Sequence, residues 1–428
     1  MLGFLSSRAT AAHLALAAVA PLVLCKYFPG GAVDAVLLWI AVVCVIWAFM
    51  APVKRGDERS PDARGRFLHD AAADPFTWVA VAILLYSSVI ALNPGVALSY
   101  DTEAKLWRLA SPVAKMLPGG VAGFGGACFT SSLLVLVLYP AVVYSLDCRQ
   151  SVYFAVFASF VAVLDAVFAY ASGIGIRADS AVAYGLWGLA AAVSAFSAEV
   201  SRRRVKEMLS ALALAGCLAA MMLSGRAVEV CVFSAATVLL ALVFVVFRCR
   251  ELGWSGVIRT FLVLVVSVGI AAALFHWRSG DWESLIPVWG TEADAIFNRF
   301  AVSAWQASPW TGSGVGSFPL VTKIGATAED WMTLGAIPDF YSNGWRALLV
   351  ERGMIGVLVF AAALGALLFS WFRYAWQRGL ENFSAAVPLL PLALAAVSVA
   401  MFFDSSAMQP EAIVALASVA AYSVNGGL

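Results

Sequence analysis

The sequence predicts an all-α polytopic membrane protein of about twelve transmembrane helices with one long, partly helical external loop, and three observations carry that prediction. The first is composition: of 428 residues 62% are hydrophobic and only 12% charged, with a mean hydropathy of +0.88. No water-soluble fold of this size sustains those values. The second is the recurrence of apolar runs near the ~20 residues that cross a hydrocarbon core of roughly 30 Å. The third is the placement of Lys and Arg, which crowd every second connection.

The runs lie near 9–25, 33–52, 75–93, 124–146, 151–172, 181–200, 208–225, 228–247, 260–277, 345–371, 386–403 and 410–424. The first is Ala-rich and preceded by Arg8, so a secretory signal is its alternative reading. Leu24 ahead of Cys25 is too large for a lipoprotein site, and the run reads more simply as a first membrane helix. Between the third and fourth runs, 94–123 is expected to be an external amphipathic segment. Leu106, Leu109, Val113 and Leu117 stand there at helical spacing among Asp101, Glu103, Lys105, Arg108 and Lys115, which predicts an interface-lying helix over about 98–117. The fifth run holds Asp165, which is either functional or half of a helix-to-helix hydrogen bond. The last run is short and opens with Pro410. No fixed-period repeat is visible, so 1–428 reads as a single membrane domain.

The 278–344 stretch is too long for a plain connection. Trp282, Trp289, Phe297, Phe300, Trp305, Trp310, Phe318, Trp331, Phe340 and Tyr341 give it more aromatic surface than a disordered segment carries. Ile296, Phe300 and Ala304 fall on one helical face, predicting a short helix over Asp294 to Trp305, then a turn at Pro309 and a glycine-rich segment.

Cytoplasmic connections are enriched in Lys and Arg. Lys54, Arg55, Arg59, Arg64 and Arg66, then Arg149, then Arg202, Arg203, Arg204 and Lys206, then Arg248, Arg250 and Arg259, then Arg373 and Arg378 occupy alternate connections. Both termini are therefore expected inside and the 278–344 loop outside. The net charge of +1 gives no basic surface for nucleic acid. Seven scattered cysteines without a CxxC, and three histidines (His13, His69, His276) away from them, argue against a disulfide framework or a zinc site.

Three motifs carry candidate chemistry. SGRAVEV sets Arg226 at the junction of the seventh and eighth runs, where an always-charged guanidinium needs a carboxylate or an anionic ligand; Glu229 at i+3 is the local alternative partner. NRFAVSAWQASPWTGSGVGSF places Gly312, Gly314 and Gly316 at alternate positions, where backbone amides can approach an anionic group closely, though GSGVG is no nucleotide fingerprint. SNGWRALLVERGMIG puts Ser342, Arg346 and Gly353 on one face, and Gly353 with Gly356 forms a small-residue stripe for a neighbouring helix. Its alternative is an interfacial anchor built on Trp345.

In this order the motifs resemble the O-antigen ligase and O-antigen polymerase superfamily of bacterial membrane glycosyltransferases. SGRA is similar to its Ser-Arg pair, Arg299 to Phe318 to its Arg, Trp, Pro, Gly-x-Gly-x-x-Phe loop, and SNGWRALLVERGMIG to its His-Asn element followed by Gly-x-x-Gly. The resemblance covers roughly 210–370 and departs at one place: Ser342 stands where the family pattern has histidine. It implies a protein of the bacterial inner membrane, involved in polysaccharide or lipopolysaccharide biosynthesis, with 278–344 as a periplasmic active-site loop. It also implies metal-independent, cofactor-free transfer of a glycan from an undecaprenyl-diphosphate donor to an acceptor hydroxyl on lipid A core, a growing polysaccharide or a protein.

On that reading Arg226 and Arg299 stabilise charge growing on the diphosphate, with Arg346 in support. A serine hydroxyl is no base at neutral pH, so Asp339 is expected to take the acceptor proton, ahead of Glu329, Asp330 and His276. Asn343, Ser342, Arg346, Trp305 and Gly314 are the expected substrate contacts, with membrane lipids around the loop. Two alternatives stand beside this: a transporter or flippase of lipid-linked glycans, and a catalytically degenerate ligase homologue. Against the transporter, the polar residues concentrate outside the midplane and no repeat is seen.

Overall fold

The computed structural model describes residues 2–27, 72–92, 97–101, 106–110, 124–146, 148–200, 204–278, 292–307, 309–312, 314, 327, 329–330, 332, 343–378, 386–403 and 406–426. The chain is all-α in class. In order it forms α1 (Leu2–Tyr27), α2 (Pro75–Leu92), β1 (Ala97–Asp101), β2 (Leu106–Ala110), α3 (Phe124–Ser145), α4 (Cys148–Ala171), α5 (Ala181–Val200), α6 (Arg204–Leu223), α7 (Ala227–Arg278), α8 (Glu292–Ala307), α9 (Gly344–Arg378), α10 (Leu389–Ala400) and α11 (Pro410–Gly426). Each apolar run falls on helix except 33–52, which lies outside the described residues. The eighth and ninth runs are the two halves of α7, divided at Gly253, whose φ of 61° and ψ of 177° are not helical.

Six of these helical segments are long and apolar enough to cross a membrane: 150–171, 178–197, 205–223, 227–247, 253–277 and 344–373. Shorter apolar helices cover 11–24, 75–86, 133–143, 389–400 and 410–424. The outward faces match a membrane setting, because Phe160, Leu164, Val167 and Phe168 of α4 and Leu239, Val246 and Phe247 of α7 are exposed. Apolar side chains turned outward along whole helices suit lipid.

α5 is the hub, packing on α4, α6, α7, α10 and α11. Its membrane-length segment is 94% buried, against 22% for the second half of α7 and for α9. The sequence AVAYGLWGLAAAVSAF makes this possible, since small side chains let neighbouring backbones come close while Tyr184, Trp187 and Phe196 fill the gaps between them. Gly185 is the tightest point: a Cβ there would stand 2.5 Å from the Phe233 ring of α7. Gly216 of α6 likewise admits Val163 of α4. Asp165 on α4 accepts a hydrogen bond of 3.2 Å from the Tyr184 hydroxyl, the helix-to-helix role open to it from sequence.

The expected helix over 98–117 does not form where the segment is described. β1 and β2 make an antiparallel hairpin with Leu98 opposite Leu109 and Tyr100 opposite Trp107. In this sequence a period of two, Leu98 with Tyr100 and Trp107 with Leu109, competes with the helical spacing of Leu106, Leu109 and Val113, and aromatic residues favour strand.

At one end of the bundle Asp74 caps α2, accepting from the Phe76 amide at 3.0 Å and from the hydroxyls of Ser370 (2.8 Å) and Tyr139 (3.4 Å). One buried carboxylate there joins α2, α3 and α9. The opposite end gathers the 172–180 and 224–226 turns, residues 401–403 and 406–409, and the start of α9.

The close approach at Gly185 gives a test. Gly185→Val should destabilise the protein by about 1–3 kcal/mol through overpacking against Phe233, read as thermal unfolding in detergent. Combined with Phe233→Ala, the loss should be smaller than the sum of the two single losses.

Candidate functional site

Helix α6 ends on Ser224 and on Gly225, whose φ of 75° closes the turn, and Arg226 then leads into α7. The Arg226 carbonyl accepts from the Val230 amide at 3.1 Å, so this residue stands at the N-cap position. One turn on, Glu229 is 2% exposed and accepts from the Ser406 hydroxyl at 3.3 Å. That bond ties the Arg226 turn to the 3-10 turn Ser406–Met408, which also packs against the Ala178–Ser180 turn. There Arg177 pairs with the buried Asp179. Glu411, in the first turn of α11, is buried just beyond.

The start of α9 is fixed to the same segment. The Asn343 side chain accepts from the Arg346 amide at 3.1 Å, which is N-capping geometry, and donates to the Phe402 carbonyl at 2.9 Å. The Met401 carbonyl receives the Gly344 amide at 2.7 Å and the Trp345 amide at 3.4 Å, and the Trp345 indole donates to Ser398. The positive end of α9 therefore meets the negative end of α10, satisfying orphan groups of both. Arg346 sits half-buried on this first turn of α9. Met401 and Phe402 thus hold the Asn343 turn, and Ser406 holds Glu229, one turn beyond Arg226.

The glycines of the second and third motifs meet each other. α9 is broken at Gly353, where φ is 61° and ψ −165°. Residues 309–312 and 314 lie along the break: Met354 donates to Pro309 at 3.0 Å, Ile355 to Trp310 at 3.1 Å, and Gly314 to Glu351 at 3.0 Å. A Cβ on Gly312 would lie 2.4 Å from the Glu351 carbonyl group, and one on Gly353 would lie 2.4 Å from the Trp310 oxygen. This corrects two expectations. The Gly314 amide is used inside the protein rather than offered to an anion, and Gly353 admits a loop backbone rather than a neighbouring helix. Across the break, Tyr86 of α2 reaches the Arg352 carbonyl at 3.4 Å.

Helix α8 covers the expected Asp294 to Trp305 and buries Ile296, Phe297, Phe300, Ala301 and Ala304, packing on α9. Arg299 is on its exposed side, 5.3 Å above the Phe300 ring, and forms an ion pair with Asp330. Asp330 also accepts from the Thr327 amide (2.9 Å) and hydroxyl (2.8 Å). Those Thr327 bonds, backbone first, and then Arg299 hold its carboxyl below the usual aspartate range. Those bonds favour its charged form, so Asp330 is a weaker proton acceptor than a free aspartate. The Trp305 indole N–H is buried and meets no acceptor among the described residues.

Of the sequence-derived candidates, Asn343 is bonded to Phe402, and Arg226 stands one turn before Glu229, which Ser406 reaches; Arg346 is one turn from Asn343. Arg299 is joined to α9 through α8 and is engaged by Asp330. Glu329 and His276 are exposed. Asp339 and Ser342 lie outside the described residues. Ser406 and Glu411 went unnoticed in sequence because they bracket a short turn with no motif; only the weak apolar character of 404–410 between two runs marked it. No family model matches the chain, and no curated protein matches it.

Two outcomes check this geometry. Gly353→Ala must take up φ +61° with ψ −165°, a backbone region essentially confined to glycine, costing about 1–3 kcal/mol for the conformation alone, and its Cβ displaces the Trp310 carbonyl; protease cleavage near 309–312 should rise while helix content stays near wild type. For Asp330, the lowered folded pKa means its stabilisation is present above the unfolded value of about 3.9 and is lost as pH falls through the folded value. Pepsin cleavage of the loop should accordingly increase only well below about pH 4, and Asp330→Asn should show the increased cleavage at every pH tested.

Proposed function

We propose that the protein is a multi-pass membrane glycosyltransferase of the O-antigen ligase or polymerase type, acting at the periplasmic face of a bacterial inner membrane with both termini cytoplasmic. The observation that carries this reading is that residues following α10 bond to both regions: Met401 and Phe402 to the Asn343–Arg346 turn, and Ser406 to Glu229, one turn beyond Arg226. In the resemblance Arg226 and Arg299 hold the lipid-linked diphosphate, with Arg346 in support, and the Asn343 element borders the same site. About twelve spans and the basic connections at the other end agree with that orientation.

The chemistry follows from charge. Cleaving the bond between sugar C1 and the diphosphate leaves the electron pair on phosphate oxygen, and a fixed guanidinium at a water-poor boundary stabilises that oxygen as it leaves. Arg226 is assigned this role, with Arg346 beside Asn343 positioned to assist. Arg299, held by Asp330, orders the loop in the ground state and meets the diphosphate only if that pair opens. The acceptor hydroxyl passes its proton to a carboxylate, for which Asp339 remains the candidate with Ser342 at the histidine position.

Arg226→Ala, expressed in a strain lacking the native gene, should abolish surface-glycan transfer, a loss of at least about 10²-fold, while the variant still accumulates in the membrane. Ser342→Ala should retain transfer. Wild-type transfer by the arginine variant would end the role given to it.

A further inference from the structure

We propose that the 309–312 turn is a membrane-interface anchor, with the Trp310 ring seated among the lipid headgroups at the Arg226–Asn343 end of the bundle. The inference requires only that the protein spans a bilayer and is independent of the reaction it catalyses.

Trp310 is 66% exposed, yet its backbone is clamped: its carbonyl accepts from Ile355 while Gly312 is buried against Glu351. The turn therefore has a glycine side pressed into the protein and a tryptophan side held outward, and that exposure does not come from a loose loop tip. The Trp310 backbone lies at the first turn of an apolar helix face on which Ile355 and Leu358 are themselves exposed. That face continues down α9 through Phe369 and Phe372 to Trp376, which is 77% exposed.

Level and length then identify the occupant. From Ile355, bonded to Trp310, to Trp376 is 21 helical residues, or about 32 Å at 1.5 Å each. The second half of α7 repeats the arrangement, with the exposed Trp254 and Trp277 separated by about 35 Å. A hydrocarbon core is about 30 Å thick and about 40–45 Å with its headgroup regions. Both pairs therefore place one indole in each interface, the setting tryptophan prefers. On α9 itself the residues level with that interface are Glu351, Arg352 and the Gly353 break, too polar and irregular to carry the anchor. The loop supplies the aromatic group the helix lacks.

The test uses the full-length protein in vesicles whose phosphatidylcholine carries bromine either near the headgroup end or near the methyl end of its acyl chains. The Trp310 contribution is the difference in tryptophan emission between wild type and Trp310→Phe, with Trp310→Tyr as a second variant and Trp277→Phe as an interfacial reference. The Trp310 contribution should lose most of its intensity with shallow bromine, less with deep bromine, and little with aqueous iodide, following Trp277. Strong quenching by iodide with none from either lipid would show a water-facing indole and overturn the proposal. Stronger quenching by deep bromine would overturn it as well.

Discussion

Breaking a helix frees backbone groups that need new partners wherever protein covers them, and the repair of the break at Gly353 governs how this end of the protein is arranged. Each buried amide or carbonyl left unsatisfied costs about 1–3 kcal/mol. Here the Met354 and Ile355 amides and the Glu351 carbonyl are all taken up by residues 309–312 and 314. The contact is backbone on backbone, so only glycine serves at 312 and 353. Its consequence is that the polar loop is fastened to the apolar bundle at a defined height, carrying α8 with it.

The same logic of satisfying helix ends organises the rest of that end. α9 begins where α10 finishes, with Met401 accepting the first amides of α9 and Asn343 completing the cap. Glu229 reaches across to Ser406. These bonds set the spacing between the Arg226 turn and the α9 start, while α5, sheathed by its neighbours, fixes the helices from which both turns project. The Arg226 turn and the start of α9 are thereby tied to the residues after α10 by one carboxylate–hydroxyl bond and by helix-end backbone and Asn343 bonds.

Much of this was legible in the sequence for physical reasons. Hydropathy located the helices because lipid demands long apolar runs, and apolar spacing found α8 because one of its faces packs on α9. The hairpin at 97–110 escaped because Leu106 and Leu109 fit a helix while Tyr100 and Trp107 fit a strand, and pairing partners decide between them. Gly312, Gly314 and Gly353 stood out as unusual, yet sequence cannot say whether a glycine faces a ligand or another backbone. The pairing of Arg299 with Asp330 was equally hidden, since 31 residues separate them and nothing local links the two.

The glycine turn is locked onto the broken helix, and amide hydrogen exchange at Gly314 tests this directly. A committed donor to the Glu351 carbonyl should exchange as slowly as the Met354 and Ile355 amides of α9, despite lying in a loop. Exchange of Gly314 at the rate of an open loop, with Met354 and Ile355 still protected, would contradict the account.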